Sequence, residues 1–126
     1  MFTARNVLVA LVVLLMTASG VMDLDQPQPL VEGFGAIGLP MTVATVVGIG
    51  KVAGVLALGV TSFVPAAPHW LREWAWAGFC IDLAGAALLH VLAGDHVNVA
   101  NPIVPLLLVV AASVLDRRHL AAQAPV

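Results

Sequence analysis

Charge is scarce in this 126-residue chain: 10% of its residues are Asp, Glu, Lys or Arg, against about 25% in a typical soluble domain. So few charged side chains cannot cover the surface of an ordinary soluble globule. Basic residues number five and the formal net charge is −2, so no basic patch speaks for nucleic acid. The single cysteine, Cys80, excludes an internal disulfide, a CxxC motif and a four-thiolate metal site. A dithiol shuttle within one chain goes with them. What the chain has in abundance is apolar surface, with 61% hydrophobic residues and a mean hydropathy of +1.04. That composition excludes intrinsic disorder, and the length suits one domain.

About 20 apolar residues cross a bilayer as a helix. Four stretches qualify: 6–22, without charge; 40–63, with Lys51; 74–92, with Asp82; and 102–115, short and without charge. No stretch alternates with period two, and an eight-stranded barrel needs more chain than this. The expected fold is therefore all-α: a polytopic, antiparallel four-helix transmembrane bundle forming a single domain over residues 1–126. Arg5, Arg72, Arg117 and Arg118 fall on one side of such a bundle, and Asp23, Asp25, Glu32 and Asp95 on the other. The positive-inside rule then places both termini in the cytoplasm of a multi-pass inner-membrane protein. A competing reading takes Met1 to Gly20 as a signal peptide with a small-residue cleavage site, leaving three spans.

The connections follow from composition. After the polar break Asp25-Gln26-Pro27-Gln28-Pro29, Leu30, Phe34 and Ile37 share one face, which predicts a short interfacial helix over 29–39 between spans one and two. Residues 64–69 form a tight turn. Trp70, Trp74 and Trp76 then read as an interfacial anchor for span three. Asp116 to His119 close the bundle, and 120–126 reads as a frayed tail. Gly33 to Gly38 spells GxGxxG, but a dinucleotide fingerprint needs a preceding strand and an acid about 20 residues on; here a proline-rich loop precedes it and the next acid after Glu32 is Glu73. Gly50-Lys51 lacks the Ser or Thr of a P-loop.

Lys51 and Asp82 are the chemically informative pair. Each sits near the middle of a span, and a charge at the bilayer centre costs about 2.5–3.5 kcal/mol on insertion scales. Antiparallel spans bring them to one depth, so they are expected to pair. Gly48 and Gly54 flank Lys51, and Gly78 and Gly85 share the face of Asp82; small residues allow close helix approach. His90, about 12 Å further along the helix, is placed to relay protons toward Asp82. Lys51, Asp82 and His90 are thus the candidate ligand-binding or buried polar cluster. Asp23, Glu32, Asp95 and His96 read as a hydrated outer mouth. No metal-ligand spacing is present, and no catalytic residue can be assigned.

Several segments in order carry a family likeness: Ser19-Gly20; Gly33 through Pro40; Gly50-Lys51-Val52-Ala53-Gly54-Val55-Leu56-Ala57-Leu58; Glu73-Trp74-Ala75-Trp76-Ala77-Gly78-Phe79; then Asp82-Leu83, Gly85-Ala86, His90 and Ala93-Gly94-Asp95. In these the chain resembles the DoxX-like family of small bacterial four-helix membrane proteins. The resemblance implies that the first span belongs to the domain. It also implies quinone-linked redox work, since relatives are subunits of thiosulfate:quinone oxidoreductases or of membrane complexes resisting oxidative stress. Where family members often carry a lysine after the Ser-Gly pair, this chain has Asp23. The expected function is a redox-associated membrane subunit that binds a quinone or similar lipophile, rather than an autonomous enzyme. The alternative is a non-catalytic accessory or assembly protein docking partner membrane helices. Expected surroundings are the lipid bilayer, a membrane or peripheral redox protein, and a second copy of the chain as a homo-oligomer. A solute transporter is disfavoured because the spans show no internal repeat.

Overall fold

The computed structural model describes residues 3–125, which form five helices and no strand. They are α1 (Ala4–Asp25), α2 (Gln28–Ala36), α3 (Met41–Phe63), α4 (His69–Leu92) and α5 (Ala100–Gln123). All but α2 are long and apolar enough to cross a membrane. They pack as a ring in which α1 meets α3 and α5, and α4 meets α3 and α5. Large apolar side chains such as Phe63, Ile81 and Leu107 point outward and stay exposed, as they must where lipid rather than water is the solvent.

The expected short helix between the first two spans is present as α2. The fourth span extends well beyond 102–115. Helix propagation needs no apolar side chain, and Arg, Leu, Ala and Gln are good helix formers, so α5 carries Asp116 to His119 and most of the expected tail within it. α4 likewise starts at His69, directly after Pro68.

Two helices end in the same way. At α2, the N–H of Leu39 donates to Phe34 O and that of Gly38 to Gly35 O; at α4, Asp95 donates to His90 O and Gly94 to Val91 O. Gly38 and Gly94 have φ of +76° and +75°. This is the Schellman arrangement, which needs a residue free to turn left-handed at that point. At α4 it folds Asp95 back beside His90.

Packing divides the bundle into a solid end and a hollow end. The solid end, near both termini, holds the buried core of Val12, Met16, Leu58, Trp76, Phe79 and Val109. The hollow end lies under α2. There Pro105 sits inside α5 and cannot donate to the carbonyl of Asn101, so one helical hydrogen bond is missing beside the cavity.

Glycines set the closest approach. A Cβ on Gly48 of α3 would lie 3.0 Å from both Gly20 O and Asp23 Cβ of α1, and one on Gly20 would lie 3.0 Å from Lys51 Cβ. Without a hydrophobic drive between helices in lipid, such contact of backbones is what holds a pair together. Gly48→Val therefore forces α1 off α3. Overpacking of this kind costs about 1–3 kcal/mol, read as a lowered thermal midpoint in detergent, whereas Gly85→Ala, whose Cβ would meet nothing within 4 Å, is expected to leave the midpoint unchanged.

Candidate functional site

Lys51 lies near the middle of α3 and is 9% exposed. Its Nζ donates to Asp23 Oδ2 at 2.7 Å and to Ser19 Oγ at 2.8 Å. Asp82 Oδ2 of α4 is 3.6 Å away, an ion-pair contact longer than a hydrogen bond. The expected Lys51–Asp82 pair is thus brought together, but Lys51 has a nearer partner. Asp23 does not belong to an open mouth: it is 4% exposed. Sequence spacing placed it at a helix end beside Asp25. The Gly20–Gly48 crossing instead lets α1 run on against α3, so its last turns face Lys51. Three helices converge on one ammonium, with two carboxylates around it.

His90 does not reach toward Asp82. Its Nδ1 lies 3.0 Å from Asp95 Oδ2. Asp95 is fixed in turn by the Asn98 side-chain amide, at 3.0 Å from each carboxylate oxygen. The Asn98 amide first, and His90 after it, hold the Asp95 carboxyl below its ordinary value. Glu32 is exposed and accepts from Gln28 at 3.2 Å, and His96 is exposed in the turn after α4. The expected mouth therefore resolves into a buried carboxylate (Asp23), a hydrogen-bonded histidine–aspartate pair and two surface side chains.

Asp23, Lys51, Asp82, His90 and Asp95 share one cavity of about 760 Å³, lined also by Ser19, Asn98, Asn101 and apolar side chains of α1, α2, α3, α4 and α5. α2 roofs it with Leu30 and Phe34. Gly85, expected at a helix contact, lies on its wall. Gly54 does serve packing, since a Cβ there would lie 2.5 Å from the Phe79 ring. Gly78 meets nothing within 4 Å. Gly78 and Gly85 of α4 thus make room rather than contact.

A second polar centre lies at the solid end. Asp116 of α5, fully buried, accepts from Arg72 Nε at 2.6 Å and Nη2 at 2.9 Å, from Arg5 Nη2 at 2.6 Å and from Trp76 Nε1 at 3.0 Å. Arg72 also donates to Thr61 Oγ1, Ser62 Oγ and Leu58 O of α3. All four ring helices meet in this knot, next to the buried core residues Leu58 and Trp76. The sequence reading missed it because Arg5, Arg72 and Asp116 sit at span ends, where charges usually face water. It also took Trp76 for an interfacial anchor. Trp70 and Trp74 are exposed as an anchor requires, but Trp76 is buried. The cue was Trp76 lying four residues after Arg72 on one helix face.

A DoxX-like family model matches residues 7–112. The chain belongs to the DoxX-like family. Comparisons with curated proteins and with solved structures find no match. The family match runs from α1 into α5 and includes every residue of the Lys51 cluster and of the His90–Asp95 pair. It stops short of Asp116, so the knot lies partly outside the matched segment. Among the described residues no group of three or more His, Cys, Asp or Glu side chains could hold a metal ion.

The two centres should respond differently to neutralisation. Asp116→Asn leaves two guanidinium groups short of their buried partner, and breaking a buried pair costs about 3–5 kcal/mol. Asp82→Asn removes only a 3.6 Å contact from a partly exposed side chain. Thermal unfolding in detergent is expected to show a large loss of midpoint for the first and little for the second.

Proposed function

We propose that this DoxX-like protein is a redox-associated subunit of a bacterial inner membrane, with both termini cytoplasmic, whose cavity receives the head group of a quinone or similar lipophile. One observation carries the reading: a lysine and two carboxylates stand together on the wall of a largely apolar cavity enclosed by membrane-spanning helices. The volume of about 760 Å³ falls within the range of about 300–1,000 Å³ usual for small-molecule sites, which combine apolar walls with a few fixed polar groups.

The donor set suits a quinone. Lys51 gives two of its three N–H bonds to Asp23 and Ser19, and the third is available to a carbonyl oxygen of the head group. Asp23 and Ser19 hold the ammonium in place. Asp82 stands beside it as an acceptor for a quinol hydroxyl. When bound, a quinone supplies two-electron redox chemistry that these side chains lack. Cys80 is single, so electrons reach the site from a partner redox protein. His90 Nδ1, 3.0 Å from Asp95 Oδ2, adds a second polar pair to the lining of the same cavity. The redox part of this reading rests on what the sequence resemblance implies.

Titration of the purified protein with a decyl-tailed benzoquinone and with its quinol tests it. Lys51→Met should weaken binding of the quinone, and Asp82→Asn that of the quinol, each about ten- to a hundredfold, the equivalent of one hydrogen bond to a charged group. Unchanged affinity in both variants would sink the site. The cluster would then only hold α1, α3 and α4 in register, as the accessory-protein reading requires.

A further inference from the structure

A second hollow lies on the outside of the bundle. Between α3 and α4 runs a lateral groove of about 380 Å³, lined by Gly50, Ala53, Gly54, Trp74 and Gly78 among others. Gly50, Ala53, Trp74 and Gly78 are exposed, so in a bilayer this groove faces the acyl chains. The groove and the central cavity have four lining residues in common: Val47, Lys51, Ile81 and Asp82. These four residues border both the lipid-facing hollow and the interior one. Two of them are the 3.6 Å Lys51–Asp82 contact, the loosest link of the cluster, while Lys51 stays anchored to α1 by its shorter bonds. Asp82 retains 21% side-chain exposure although it sits mid-helix.

We propose that the groove between α3 and α4 is a lateral portal, through which a membrane-dissolved amphiphile with a hydrogen-bonding head passes from the bilayer to the central cavity, with the Lys51–Asp82 contact as its inner gate. The glycines give the portal its width. Cβ atoms at Gly50 and Gly78 would meet nothing within 4 Å, so neither glycine is there to let helices touch. A molecule already dissolved in lipid reaches Asp82 without crossing the polar turn at His90 and Asp95. When the contact parts, Lys51 Nζ keeps its bonds to Asp23 and Ser19. This route rests on the ligand reading above for the identity of its guest, but the opening itself can be tested without that guest.

The probe is dicyclohexylcarbodiimide, a lipid-soluble reagent that adds to carboxyl groups, applied to membranes containing the full chain and read by peptide mass spectrometry. Asp82 should be modified in preference to Asp23, and a charged, water-soluble carbodiimide should modify Asp82 far less. Gly78→Leu and Gly50→Leu fill the groove at positions with space for a side chain. Each should lower Asp82 modification several-fold while the thermal midpoint is kept. Absence of the Asp82 adduct in the wild type, equal modification in the filled variants, or preferential modification by the water-soluble reagent would each overturn the portal. The two readings fail separately. A labelled Asp82 in a chain that binds no quinone sinks the quinone reading and keeps the portal; quinone binding with an unlabelled Asp82 does the reverse.

Discussion

Lys51 cannot stand alone inside a bilayer, and much of this molecule is arranged around that constraint. An unpaired ammonium at membrane depth costs several kilocalories per mole, so α1 and α4 each bring a carboxylate to it. Glycines at positions 20 and 48 then become obligatory, because Asp23 reaches Lys51 only if the backbones of α1 and α3 almost touch. Asp23, Lys51 and Asp82, gathered by that approach, line the cavity.

The same physics yields a different result at the other end. Asp116 answers Arg5 and Arg72 with both oxygens, and Trp76 and three groups on α3 complete the set. Every donor there has a protein partner and side chains fill the surroundings. Two carboxylates share one ammonium in the first centre, and two guanidinium groups share one carboxylate in the second. The first opens onto a cavity and the second onto packed core. That contrast cannot be seen from composition.

Spans and the short helix were legible in the sequence because apolar length and periodicity are local properties. Lys51 and Asp82 were legible because a charge in the middle of an apolar run has nowhere to go but inward. Asp23 was not, since its burial depends on a crossing of two glycines 28 residues apart. His90 was placed by rise along one helix, which cannot register that Gly94 turns the chain back and hands the imidazole to Asp95. The Arg72–Asp116 knot escaped for a related reason. At a span end a charge has water as an alternative partner, and only tertiary packing decides between the two. Bounds failed where helix outlasts apolarity, as in α5.

The central claim is that the interior of this bundle is a site for a small lipophile. Native mass spectrometry of the protein released directly from its own membranes tests it most directly. The account predicts a retained small lipophilic mass that is lost from the Lys51→Met chain while that chain remains folded. A bare chain, or one carrying only a second protein, would contradict it.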